Sequence, residues 1–69
     1  MKLGDLRRFT REMRFSYDHR RVSCKTFVVV EVREEGENEV VDFVVDGHLE
    51  RGWDSPWVRE NSELINEAR

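Results

Sequence analysis

Arg7, Arg8, Arg11, Arg14, Arg20, Arg21 and Lys25 crowd positions 7–25, with Phe15, Tyr17 and His19 interleaved. A guanidinium fork matches phosphate or carboxylate oxygens two at a time. Each phosphate neutralised in this way releases counterions, and aromatic rings between the cations can stack on unpaired bases. The spacing therefore suits an anion site, with single-stranded nucleic acid as the extreme case. The competing reading is a solvated face whose arginines pair with the protein's own acids. A formal net charge of −3 favours that second reading.

The acids lie elsewhere in the chain. Residues 1–25 hold eight basic side chains against three acidic ones, a balance of +5, and residues 26–69 hold four against twelve, a balance of −8. Glu31, Glu34, Glu35, Glu37, Glu39, Asp42 and Asp46 form the densest acidic stretch. Such asymmetry implies a basic and an acidic surface, and hence charged partners or self-association. An acidic edge also keeps strands from pairing with other chains.

Trp53 and Trp57 flank Asp54-Ser55-Pro56. Tryptophan is enriched in interface hot spots, but in so short a chain it serves the core as readily. Candidates for catalysis are sparse. Cys24, His19 and His48 are the groups that react or titrate near neutral pH, with Asp18 and Glu50 as orienting carboxylates. His48 and Glu50 share one strand face, and two ligands do not make a metal site. The single cysteine excludes an internal disulfide and a multi-thiolate zinc site. The expectation is no enzyme, no metal and no cofactor.

These groups must be held by a small frame. Sixty-nine residues bury only about 60% of the unfolded surface. No apolar run approaches the roughly 20 residues that span a bilayer, and the first residues lack a secretory h-region, so a cytoplasmic setting is expected.

Residues 3–14 fit a helix, because Leu3, Leu6, Phe9, Thr10 and Met13 share one side at a 3.6-residue period and Arg7, Arg8, Arg11 and Arg14 gather on another. Residues 22–34 and 39–45 are rich in β-branched side chains and read as strands around a Gly36-Glu37 turn. Pairing Val32 with Val41, Val30 with Phe43 and Val28 with Val45 gathers six apolar residues on one face, which leaves Phe27, Val29, Val40, Val44, Leu49 and Trp53 on a mixed one. Glu31 then lies opposite Asp42. Asp46-Gly47 closes a second hairpin onto a strand at 48–53. Asp54 or Ser55 caps a helix over 56–68 that carries Trp57, Leu64, Ile65 and Ala68 on one face.

The expected fold is α+β, in the order α-β-β-β-α, with a three-stranded antiparallel meander and two packing helices in one domain. The expected function is a non-enzymatic protein-binding module that regulates, inhibits or adapts a larger partner. Its candidate contact residues are Arg7, Arg8, Arg11, Arg14, Arg20, Arg21, Glu31, Glu35, Glu37, Asp42, Trp53 and Trp57. The alternatives are nucleic-acid binding through the arginine strip and a structural homodimer.

Overall fold

The computed structural model describes residues 1–67, and His19 by its backbone alone. Its elements are β1 (Leu6–Phe9), β2 (Met13–Phe15), β3 (Asp18–Val22), β4 (Thr26–Glu35), β5 (Asn38–Val45), β6 (His48–Asp54), α1 (Ser55–Glu60) and β7 (Ser62–Asn66). Five strands form an antiparallel sheet in the order β6-β5-β4-β1-β7, and β2-β3 is a separate hairpin inserted between β1 and β4. The protein is thus a β-rich small domain with one short helix, and the α-β-β-β-α expectation is overturned.

No helix forms over 3–14. The segment instead makes two short strands whose alternate residues point inward. Arg7 and Phe9 are buried on β1, as are Met13 and Phe15 on β2. Leu3, which the helical reading placed on the apolar face, is 65% exposed. Phe9 decides the outcome. Its ring lies 4.5 Å from Phe27, 5.7 Å from Phe15 and 5.7 Å from Phe43. A helix would surrender most of these long-range ring contacts for local hydrogen bonds of small net worth.

The C-terminal helix forms but stops after six residues. Asp54 is its N-cap and accepts the Trp57 N–H at 3.0 Å, with Pro56 in the first turn. Asn61 ends it by returning its backbone N–H and its side-chain amide to the Trp57 carbonyl, at 3.1 and 2.8 Å. Ser62 Oγ donates to Val58 O at 2.6 Å and accepts from Arg7 Nε at 2.8 Å. The chain beyond Asn61 is therefore fastened to β1 as β7, with Phe9 opposite Ser62 and Arg8 opposite Glu63. Ala68, placed on the expected helix face, lies outside the described residues.

Both expected hairpins are present, with corrected faces. Glu35 opposes Asn38 and Val32 opposes Val41, as the turn dictates. An irregularity between Val29 and Glu31 then shifts the register, so Val29 opposes Phe43 and Val28 opposes Val44. A bulge turns alternate side chains to the other face. Phe27 and Val29 enter the core, while Val28 and Val30 are exposed. A second irregularity between Val41 and Phe43 places Val41 opposite Trp53 and Phe43 opposite Glu50. Gly52, at φ +73, accompanies this second bulge and donates its N–H to the Asp42 carboxylate at 2.8 Å.

The core is Phe9, Met13, Phe15, Phe27, Val29, Val41, Phe43, Val45 and Val58. The sheet must curl to enclose it. A flat sheet would hold β1 and β6, three strands apart, about 14 Å from each other. The Phe9 and Trp53 rings are nevertheless 6.5 Å apart. The β2-β3 hairpin folds over the same cluster, with the Phe15 ring 6.4 Å from Phe43 and 6.0 Å from Trp53.

The β5-β6 turn uses positive φ at both Asp46 (51°) and Gly47 (76°). A β-branched side chain resists that conformation. Gly47→Val is expected to cost about 1–3 kcal/mol, which a thermal melt reads as a drop of several degrees. An unchanged melting temperature would contradict the turn, since open space around Gly47 leaves backbone strain as the sole penalty.

Candidate functional site

The fold breaks the arginine strip apart. On a strand, neighbouring residues face opposite sides, so Arg7 and Arg8 separate. Arg7 is buried in the β1-β7 seam, where its guanidinium also donates to the Ser62 carbonyl at 3.2 Å and the Arg59 carbonyl at 3.3 Å. Its role is structural. Arg8 points outward and pairs with Glu63, its Nε lying 3.0 Å from the carboxylate. Arg20 forks onto Asp18 at 3.1 and 2.9 Å. Lys25 pairs with Asp46 at 2.8 Å and Lys2 with Glu67 at 2.9 Å.

Arg11, Arg14 and Arg21 come together elsewhere. With Glu12, Met13, Trp53 and Trp57 they line an open groove of about 340 Å³ between the β2-β3 hairpin and the corner where β6 meets α1. Arg11 follows the end of β1, Arg14 projects from β2 and Arg21 from β3. Trp53 lies near the end of β6, and Trp57 is carried on α1 by the Asp54 cap. The two indoles are 6.1 Å apart at 39°. Trp53 is half-buried against Phe43 at 5.4 Å and gives the groove a fixed floor. Trp57 is 37% exposed, with the Arg11 guanidinium 5.9 Å above its ring. Arg11 also reaches Asn61 Oδ1 at 3.4 Å. Among the described residues, no ion pair or hydrogen bond engages the guanidinium of Arg14 or Arg21.

The acidic side is more self-contained than its sequence suggests. Asp42 is buried, with Arg33 Nη2 at 3.0 Å and Arg51 Nε at 3.6 Å. Burial opposes its charge, but the hydrogen bonds from Arg33 and the Gly52 N–H, with both arginine charges, prevail and hold its pKa below the ordinary value. Glu35 pairs with the same Arg33. Glu31 lies opposite Asp42 and is exposed, and Glu37 sits in the exposed β4-β5 turn. Exposed acids therefore remain at Glu31, Glu34 and Glu37, while Asp42 belongs to the interior.

No family model, curated protein or solved structure matches this chain. The site must therefore be read from its own chemistry.

Cys24 is exposed in a bend at φ 58. His48 is stacked on Tyr17, with centroids 4.1 Å apart at 10°. Glu50 is buried and accepts the Ser16 N–H at 3.1 Å and the Ser16 hydroxyl, which holds the hairpin to β6. The His19 side chain lies outside the described residues. Among the described residues, no three metal-ligating side chains converge and no helix is long and apolar enough to cross a membrane.

The hairpin has a second fastening with a spectroscopic signature. Tyr17 donates its hydroxyl to Asp46 Oδ2 at 2.9 Å. Burial first, and then this hydrogen bond, push the phenol up to about 12. The neutral phenol thus adds stability that is whole below about pH 10 and fades as pH rises through about 12. Tyr17 is the sole tyrosine, so phenolate absorbance reads it directly. The expected midpoint is about 12, falling part of the way toward 10 in Asp46→Ala, because burial remains. A wild-type midpoint near 10 would contradict the packing of the hairpin on β6.

Sequence reasoning named Arg11, Arg14, Arg21, Trp53 and Trp57 as contact residues but did not group them, and it passed over Glu12 and Met13. The signal for Met13 was its spacing from Phe15, two residues apart, which marks a strand facing the core. A one-sided strand at 13–15 would also have carried Arg14 to the outer side.

Proposed function

We propose that this chain is a non-enzymatic protein-binding module whose docking site is the groove lined by Trp53, Trp57, Arg11, Arg14 and Arg21. The observation that carries this reading is the contrast, among the described residues, between two arginines without partners at the groove and paired basic side chains around them. The chain neutralises Lys2, Arg8, Arg20, Lys25, Arg33 and Arg51 internally. Arg14 and Arg21 stand beside an apolar floor, an arrangement common to interface anchors, where aromatic and arginine side chains dominate binding energy. Regulation, inhibition or adaptation of a larger protein is the role that suits a domain of this size.

Nucleic acid is the weaker reading. A strand of nucleotides needs a basic track along several phosphates. Here Arg7 is buried, and Arg8 and Arg20 are committed to carboxylates, so the track ends at the groove.

Affinity capture from lysate split into nuclease-treated and untreated halves tests the reading. Wild-type protein is expected to retain a discrete protein, and Trp57→Ala is expected to release it at a temperature well below its own, somewhat lowered, melting point. Equal capture by both would overturn the groove as the docking site. Capture that vanishes with nuclease in both would replace a protein partner with nucleic acid.

A further inference from the structure

The groove's composition defines its occupant more narrowly. Three arginines and one glutamate line it, so the local balance is positive in a molecule of net charge −3. A cationic partner would find no use for Arg14 and Arg21. A purely apolar one would leave them without partners and partly dehydrated. A guanidinium finds its best complement in a carboxylate, held by paired hydrogen bonds.

The floor adds a second requirement. Met13 is buried, Trp53 half-buried, and Trp57 more than a third exposed. Charge alone mainly speeds and orients association, so an anchor must fill the apolar part. The third requirement is shape. The groove is open rather than enclosed, and β2, which contributes to its lining, is hydrogen-bonded to β3 on one edge and, among the described residues, to no strand on the other. An extended chain fits such a setting and can offer backbone groups to that free edge.

We infer that the groove binds a short, extended, acidic peptide segment of another protein. Its carboxylates engage Arg14 and Arg21, and an intervening apolar side chain packs on Trp57 and Trp53. The inference rests on the groove being the docking site and adds the chemistry of what docks. The row of exposed Val28 and Leu49 with half-buried Val44 between them, which crosses β4, β5 and β6 on the other side of the sheet, is apolar and offers an acidic segment no guanidinium of its own.

The experiment is a titration followed by tryptophan emission, since both tryptophans line the groove. The probes are a peptide of alternating glutamate and leucine, its lysine–leucine counterpart, and oligothymidylate. The expected result is a saturable emission change with the acidic peptide alone. Arg14→Glu and Arg21→Glu should each weaken it about tenfold, the usual scale for a lost charge-assisted hydrogen bond. Both positions are exposed, so the melting temperature should hold.

Tighter binding of oligothymidylate, lost in the same variants, would overturn the acidic peptide while keeping the groove. Acidic-peptide binding indifferent to both substitutions would overturn the groove itself. No response to any probe would overturn the peptide proposal, and lysate capture that still depends on Trp57 would then show the groove standing without it. Self-association abolished by Arg14→Glu would replace the peptide with a second copy, docking through the acidic Glu34–Glu39 turn.

Discussion

Phe9→Ala is expected to remove about 3–5 kcal/mol of stability, a third or more of all the fold has, whereas Leu3→Ala is expected to be neutral within about 0.5 kcal/mol. Phe9 is 1% exposed and touches Phe15, Phe27, Phe43 and Trp53, which come from four different strands. Truncating such a ring costs about 3–5 kcal/mol in lost transfer energy and cavity. At the usual ~0.05–0.15 kcal/mol per residue, the whole fold is worth only about 3–10 kcal/mol. Leu3 is 65% exposed and has little burial to lose. The pair separates the two accounts of the N-terminal segment. A helix over 3–14 places both residues on one buried stripe and predicts comparable losses. Two strands predict that one substitution is costly and the other silent. Urea or thermal unfolding of both variants decides it, and similar behaviour of the two would count against the strands.

The second large effect belongs to Asp42. Its carboxylate is buried and gathers Arg33, the Gly52 N–H and Arg51 at the bulge where β5 meets β6. Asp42→Ala leaves the half-buried Arg33 with Glu35 alone and the Gly52 N–H without its acceptor. The cost of breaking such a group is about 3–5 kcal/mol. Asp42→Asn keeps an oxygen for Gly52 and should cost less, about 1–3 kcal/mol. The charge has a pH signature as well. The folded-state pKa lies below the ordinary 3.8, so the carboxylate's contribution is whole above that pH and is lost as pH falls through the folded value. Wild-type melting temperature should therefore fall on acidification below about pH 4, and Asp42→Asn should flatten part of that fall. An equally steep acid limb in the variant would mean that Asp42 carries no favourable charge in the fold.

What the sequence revealed depended on how local the signal was. Asp46-Gly47 and the run from Val40 to Val45 specify a turn and a strand within a few residues, and both hairpins are there. Phe27-Val28-Val29-Val30 is apolar at every position, so alternation could not say which two face inward. The bulge before Glu31 settles it, and a bulge leaves no mark in a pattern of apolar residues. The strands at 6–9 and 13–15 are too short for a period of two to outweigh a chance match at 3.6. Asp54 and Pro56 correctly announce a helix. Its early end depends on Ser62 binding both Val58 and Arg7, and Arg7 comes from fifty-five positions away.

The same distinction governs the site. Residue types named the right arginines and tryptophans. They could not show that Arg8, Arg20 and Lys25 find acids while Arg14 and Arg21 do not, because ion pairing is settled by tertiary contacts. Asp42, counted among the exposed acids, is interior for the same reason.

The central claim is that one groove, between the β2-β3 hairpin and the β6-α1 corner, does the binding. Proton–nitrogen correlation spectra of the labelled protein, recorded as the glutamate–leucine peptide is added, test it most directly. The account predicts that the indole signals of Trp53 and Trp57 move together with the amides of residues 11–14 and 21, and that the β4-β5 turn stays still. Shifts confined to Val28, Val44 and Leu49, with both indoles unmoved, would contradict it.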